Sequence, residues 1–126
     1  MDGIHLLGEW FDCEVGAALS GNAESLRALC LELTRASGLT AVGDRFHQFD
    51  PQGVTGTVLL AESHLAIHTW PESRFASVDV FVCNFNNDNT AKAQQLFDSL
   101  REALRPAHVH EQAIRRGAAK QVRKAA

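Results

Sequence analysis

The run "VTGTVLLAESHLAIHTW", residues 54–70, decides the fold, because two stretches of period-two alternation flank a polar break. In VTGTVLL, Val54, Val58 and Leu60 share one face while Thr55, Thr57 and Leu59 share the other. In LAIHTW, Leu65 and Ile67 alternate against Ala66, His68 and Trp70. This pattern predicts two half-buried strands joined by a tight turn at Glu62-Ser63-His64. FASVDVFVC, residues 75–83, repeats it: Ala76, Val78, Val80 and Val82 oppose Ser77, Asp79, Phe81 and Cys83. Each strand therefore has an aliphatic face and a mixed face, and Thr55, His68 and Cys83 fall on the mixed one.

Working outward, IHLLGEW (4–10) reads as a first strand and residues 40–49 as a second, with "DPQG" supplying Pro51 and Gly53 for a turn. Leu26, Leu29, Cys30 and Leu33 recur at helical spacing between a capping Asn22 and a terminating Gly38. A second helix spans about 89–104, with Ala93, Leu96, Phe97, Leu100 and Leu104 on one stripe and Pro106 beyond it. The order strand, helix, several strands, helix, strand predicts an α/β (α+β) two-layer sandwich. Its mainly antiparallel sheet carries two helices on the aliphatic face, and the mixed face is left for a site, a partner or both.

A chain of 126 residues, 45% hydrophobic, suits one domain spanning 1–126. No apolar run approaches the ~18 residues of a membrane span, and an N-terminus with Asp2 and His5 lacks the basic-then-apolar order of a signal peptide. The chain is read as cytoplasmic, with no membrane partner. Cys13, Cys30 and Cys83 are odd in number and free of CxxC spacing, which suggests reduced thiols. A net charge of −3 argues against a nucleic-acid binder, and the basic stretch 115–126 is read as a flexible, solvated tail.

The polar break admits several chemistries. His64 and His68, with Glu62 nearby, suggest a metal, but on a strand four residues span about 13 Å, too far for one zinc ion, so no metal is expected. Ser63, His68 and Glu62 or Glu72 supply the residue types of a hydrolase triad, without a GxSxG elbow. The plainest reading is a polar hairpin turn with a hydrogen-bonded His68 on the sheet.

"ESHLAIHTWPE", with "FHQFDPQGVTG" before it, "ASVDVFVC" after it and "HLLGEWFDC" near the start, resembles the short bacterial and archaeal S-adenosylmethionine decarboxylase proenzymes. The resemblance implies that the chain cuts itself at Glu62-Ser63. Ser63 would attack the Glu62 carbonyl, the amide would become an ester, and loss of the Ser63 α-proton would expel the Glu62 carboxylate. Hydrolysis of the dehydroalanine would leave a pyruvoyl group. The products would be a β chain, 1–62, and an α chain, 63–126. The pyruvoyl carbonyl would engage a substrate amine and act as electron sink when CO2 leaves.

The resemblance further assigns His68, with Thr55, to processing, and Cys83 as the proton donor, a role suited to a thiol that is mostly protonated at neutral pH. It gives Phe49 to adenine and Glu72 to the ribose hydroxyls. It implies a homodimer packed sheet against sheet, a four-layer αββα arrangement. The implied activity is S-adenosylmethionine decarboxylation for spermidine synthesis. Departures occur at Thr55, where the family has Ser; at Ser73-Arg74-Phe75, where it has a Gly and a Tyr; and at Asn84-Phe85, in place of Gly. They leave two alternatives open, the same chemistry on arginine or ornithine, and a non-processing homologue serving as a partner subunit.

Overall fold

The computed structural model describes residues 2–84 and 87–117. The chain forms β1 (Gly3–Cys13), α1 (Ala17–Ser20), α2 (Ala23–Ala36), β2 (Ala41–Gln48), β3 (Val54–Leu60), β4 (Ser63–Trp70), β5 (Phe75–Cys83), α3 (Thr90–Leu104) and β6 (Pro106–Arg116). A 3-10 turn, Pro71–Ser73, links β4 to β5. The six strands form one sheet in the order β2-β3-β4-β5-β1-β6, and every pairing is antiparallel. The predicted α+β sandwich is the observed one, with the short α1 as an addition.

Alternation sorts the strands as the sequence implies. Val54, Val58, Leu60, Leu65, Ile67, Ala76, Val78, Val80 and Val82 are buried against Leu26 and Cys30 of α2 and the whole predicted stripe of α3. Burial of this aliphatic face stabilises each large side chain by about 2 kcal/mol and fixes the register, since a one-residue slip would expose it. Asn22 caps α2, its Oδ1 accepting from Ser25 N at 2.9 Å. Gly56 is required by packing: a Cβ there would lie 2.1 Å from the Phe46 ring.

No described helix covers the other face. Its register brings all six histidines, His5, His47, His64, His68, His108 and His110, to the same side. Phe11, Leu59, Trp70 and Ile114 are exposed among them.

Three boundaries differ from expectation. β1 runs on to Cys13 because it pairs with β5 on one side and β6 on the other. β4 begins at Ser63, paired with Leu60, so the turn is only Ala61-Glu62. The tail read as flexible from residue 115 is corrected at its start: Arg115 and Arg116 end β6, paired with Ile4 and Gly3, and Arg115 donates to Asp2 at 2.8 Å. Residues 118–126 of that tail, like Phe85, lie outside the described residues. No described helix is long and apolar enough to cross a membrane.

Candidate active site

The predicted residues fall at two places, at opposite ends of β4. At its start, the two-residue turn forces Glu62 to φ +58°, a left-handed conformation that costs a non-glycine residue about 1 kcal/mol. The strain sits on the residue whose carbonyl precedes Ser63. Across the β4–β5 pair, the Cys83 N–H donates to Ser63 Oγ at 3.0 Å. Cys83 is buried at the end of β5, yet it is not part of the helix-side core. Glu62, Ser63 and Cys83 thus form one cluster.

At the far end of β4 a second group surrounds a cleft of about 490 Å3 lined by Phe49, Pro51, Thr55, His68, Trp70 and Glu72. Thr55 on β3 faces His68 across the sheet, with Thr55 Oγ1 and His68 Nδ1 3.0 Å apart. Phe49 is half exposed and stands edge-on to His47, so it is a wall of the cleft and not core. Its position comes from the β2–β3 turn, where Phe49 N–H donates to Gly53 O at 2.9 Å and Gly53 takes φ +99°. Glu72 is exposed in the 3-10 turn beside Trp70. The cleft thus combines aromatic faces with a carboxylate and a histidine.

Five residues of strand separate Ser63 from His68, roughly 16 Å at ~3.3 Å each. No Ser63–His68 hydrogen bond forms within the chain, which removes the hydrolase triad and leaves two separate groups of side chains.

The site also contains groups that the sequence reading passed over. Asp79 Oδ2 meets His5 Nε2 at 2.8 Å and His64 Nε2 at 2.9 Å. The three donor atoms lie within 4.8 Å of one another, close enough for a metal. The spacing argument applied to His64 and His68 does not reach this cluster, because its members come from three strands. Alternation puts Trp70 on the mixed face, and the structure adds it to the cleft wall.

A family model described as S-adenosylmethionine decarboxylase matches residues 4–117. The chain is 38% identical over 115 residues to the S-adenosylmethionine decarboxylase proenzyme of Hydrogenobaculum sp. strain Y04AAS1, covering 91% of this chain and 81% of that one. It is 36% identical to the proenzyme of Methanococcus aeolicus, covering 91% and 93%. The crystal structure of adenosylmethionine decarboxylase from Aquifex aeolicus VF5 superposes with a TM-score of 0.78 at 33% identity, covering 89% of this chain and 88% of that one. The chain belongs to the S-adenosylmethionine decarboxylase family. Its fold class, recognised from the sequence, stands on the same findings.

Within that family, pyruvoyl-dependent carboxy-lyases, two of the departures have structural explanations. Arg74 takes φ +52°, a conformation Gly adopts without cost, and clasps the end of β1: its Nε donates to Cys13 O at 2.8 Å while Cys13 N–H donates to Arg74 O at 2.9 Å. Its guanidinium is thus engaged with backbone. Asn84 joins β5 to α3, its Oδ1 accepting from Asn89 N–H at 2.7 Å, and Asn89 Nδ2 donates to Cys83 O at 3.0 Å. Asn84 and Asn89 therefore hold the carbonyl side of Cys83, while its N–H is held by Ser63. Thr55 retains the hydroxyl that reaches His68.

Proposed function

We propose that this chain is a pyruvoyl-dependent S-adenosylmethionine decarboxylase that matures by cutting itself between Glu62 and Ser63. The observation that carries the reading is the strained Glu62, at φ +58°, directly preceding a serine whose Oγ is already held by the Cys83 N–H. In one pre-organised turn it supplies a nucleophile, a carbonyl under strain and an adjacent thiol.

In maturation Ser63 Oγ bonds to the Glu62 carbonyl carbon and the peptide C–N bond breaks, giving an ester. Removal of the Ser63 α-proton breaks Cβ–Oγ, and Oγ leaves as part of the Glu62 carboxylate. Water then replaces nitrogen on the remaining α-carbon and releases ammonia. The pyruvoyl carbonyl so formed supplies an electrophile for the substrate amine and a sink for the electrons freed with CO2.

The chain's residues divide the remaining work. His68 takes the α-proton through Nε2 when its Nδ1–H donates to Thr55 Oγ1, the pairing that the 3.0 Å contact supports. Cys83, beside residue 63, returns a proton to the decarboxylated carbon. Phe49 and Trp70 offer π faces to adenine and the sulfonium, and Glu72 offers two acceptor oxygens to the ribose hydroxyls.

Because Ser63 and His68 stand roughly 16 Å apart along β4, the chemistry calls for a second copy of the chain. Two protomers packing their helix-free faces together about a two-fold axis would bring the Ser63 end of one to the His68 end of the other and give αββα layers. The exposed Phe11, Leu59, Trp70 and Ile114 on that face support this partner. Arg74, the residue that suggested arginine or ornithine, is occupied in the β1 clasp.

Intact mass spectrometry under denaturing conditions tests the reading. Two chains split after Glu62, the second lighter than its sequence by conversion of Ser63 to pyruvoyl, are expected. A single uncut chain that stays uncut on incubation overturns it and leaves the non-processing partner subunit.

A further inference from the structure

The Asp79 cluster lies beside the cut and has no role in the chemistry just described. Arg116 NH1 lies 3.4 Å from His5 Nδ1, and its guanidinium stacks 4.4 Å from the Phe81 ring centroid. A guanidinium can only donate, so His5 Nδ1 accepts and the His5 proton sits on Nε2, aimed at Asp79 Oδ2. The same arrangement occupies the nitrogen lone pair that a metal ion would need, and it brings a cation alongside. The cluster is therefore a hydrogen-bond relay, Arg116 to His5 to Asp79, with His64 donating to the same carboxylate oxygen.

Two features tie the relay to residue 63. First, His64 follows Ser63 directly, so its ring is the nearest side-chain anchor on the downstream side of the cut. Second, maturation destroys the anchor that Ser63 has now. Oγ departs with the Glu62 carboxylate, and with it goes the bond from the Cys83 N–H, while the peptide link to Glu62 is also lost. Residue 63 becomes a chain end held only by its β4 pairing and by whatever fixes His64.

We propose that Asp79 is a positioning residue: gripping His64, and itself steadied by His5, it keeps residue 63 over Cys83 after the cut. The relay also spans the break, since His5 belongs to the 1–62 chain while Asp79, His64 and Arg116 belong to the other. The proposal rests on the self-cleavage reading and adds to it a group that touches neither substrate nor the reacting atoms.

The test compares His64→Gln, His64→Leu, His5→Gln, His5→Leu and Asp79→Leu in the full-length chain. Glutamine keeps an N–H near the position of Nε2 and leucine does not. Cleavage is followed by gel, and kcat and KM are measured per titrated pyruvoyl carbonyl, so that poor folding or incomplete maturation does not enter. The leucine variants and Asp79→Leu are expected to lose about ten- to hundredfold in kcat, the effect of a misplacement near 1 Å, with KM within about twofold. The glutamine variants should stay within about threefold of the parent. Leucine variants with parental kcat per carbonyl, or glutamine variants no better than leucine, overturn the proposal while leaving the cofactor reading intact. If the parent chain itself stays uncut, the cofactor reading falls and the proposal with it.

Discussion

The two ends of β4 are built from one strand but hold different kinds of site. At the start, a two-residue turn puts Glu62 into a left-handed conformation beside Ser63 and the buried Cys83. At the end, a roomy cleft gathers Phe49, Trp70, Glu72 and a Thr55–His68 pair with nothing to react. One end has strain and a serine hydroxyl; the other has aromatic faces, a carboxylate and an imidazole. A 126-residue domain spends its single core on holding the sheet, so it cannot also fold one end of a strand back onto the other. The proposed two-fold duplication would join unlike ends without a larger chain.

The largest effect should come from Ser63→Ala. Without Oγ no ester can form, and the chain should remain whole, folded and inactive, as checked by mass spectrometry together with circular dichroism. The sharpest test of the comparison uses two dead variants together. Co-expressed in equal amounts, Ser63→Ala and His68→Ala should recover about a quarter of parental activity, because half of the dimers are mixed and half of their sites are intact. If Ser63 and His68 act within one chain, the mixture stays inactive, and the two-ended reading is wrong. Smaller effects belong to the cleft. Glu72→Gln and Phe49→Leu should each raise KM about tenfold with kcat nearly unchanged, because both groups bind parts of the substrate remote from the reacting carbon. A fall in kcat at constant KM would instead move these residues to the chemical end.

Cleavage should not release the two chains, and the sheet order explains why. β2 and β3 precede the cut, β4 and β5 follow it, β1 precedes it and β6 follows it. Three of the five strand pairings therefore join the 1–62 chain to the 63–126 chain, and β1 is held between two strands of the other chain.

Much of this was legible in the sequence because strands and helices impose periods of 2 and 3.6 on a half-buried chain. The α3 stripe from Ala93 to Leu104 and the alternation in β3, β4 and β5 lie where those periods put them. The division of the site was also present: the rise that denies His64 and His68 a common zinc ion equally keeps Ser63 from His68. The Asp79 relay was not legible, since His5 and Asp79 are 74 residues apart and meet only through the β1–β5 register. Nor was the αL conformation of Glu62, which follows from a turn of two residues where three polar ones were in view.

The smallest predicted effect concerns Cys30 and Cys13, the thiols buried in the core. Burial pushes the Cys30 thiol up to about 12 and raises Cys13 as well, because the thiolate would be stranded in the apolar layer between sheet and helices. A raised value means that the folded state keeps the proton. The associated stability is fully present below the unfolded value near 9.0 and is lost as pH climbs toward about 12. Between pH 8 and 10.5 the parent should therefore lose about 2 kcal/mol more than Cys30→Ala, read from urea midpoints at both pH values. The alanine variant starts lower, having lost a packed sulfur, so the informative quantity is the difference in slope. Equal slopes would mean that water reaches Cys30, and the layer that holds both ends of β4 in register would be looser than its packing implies.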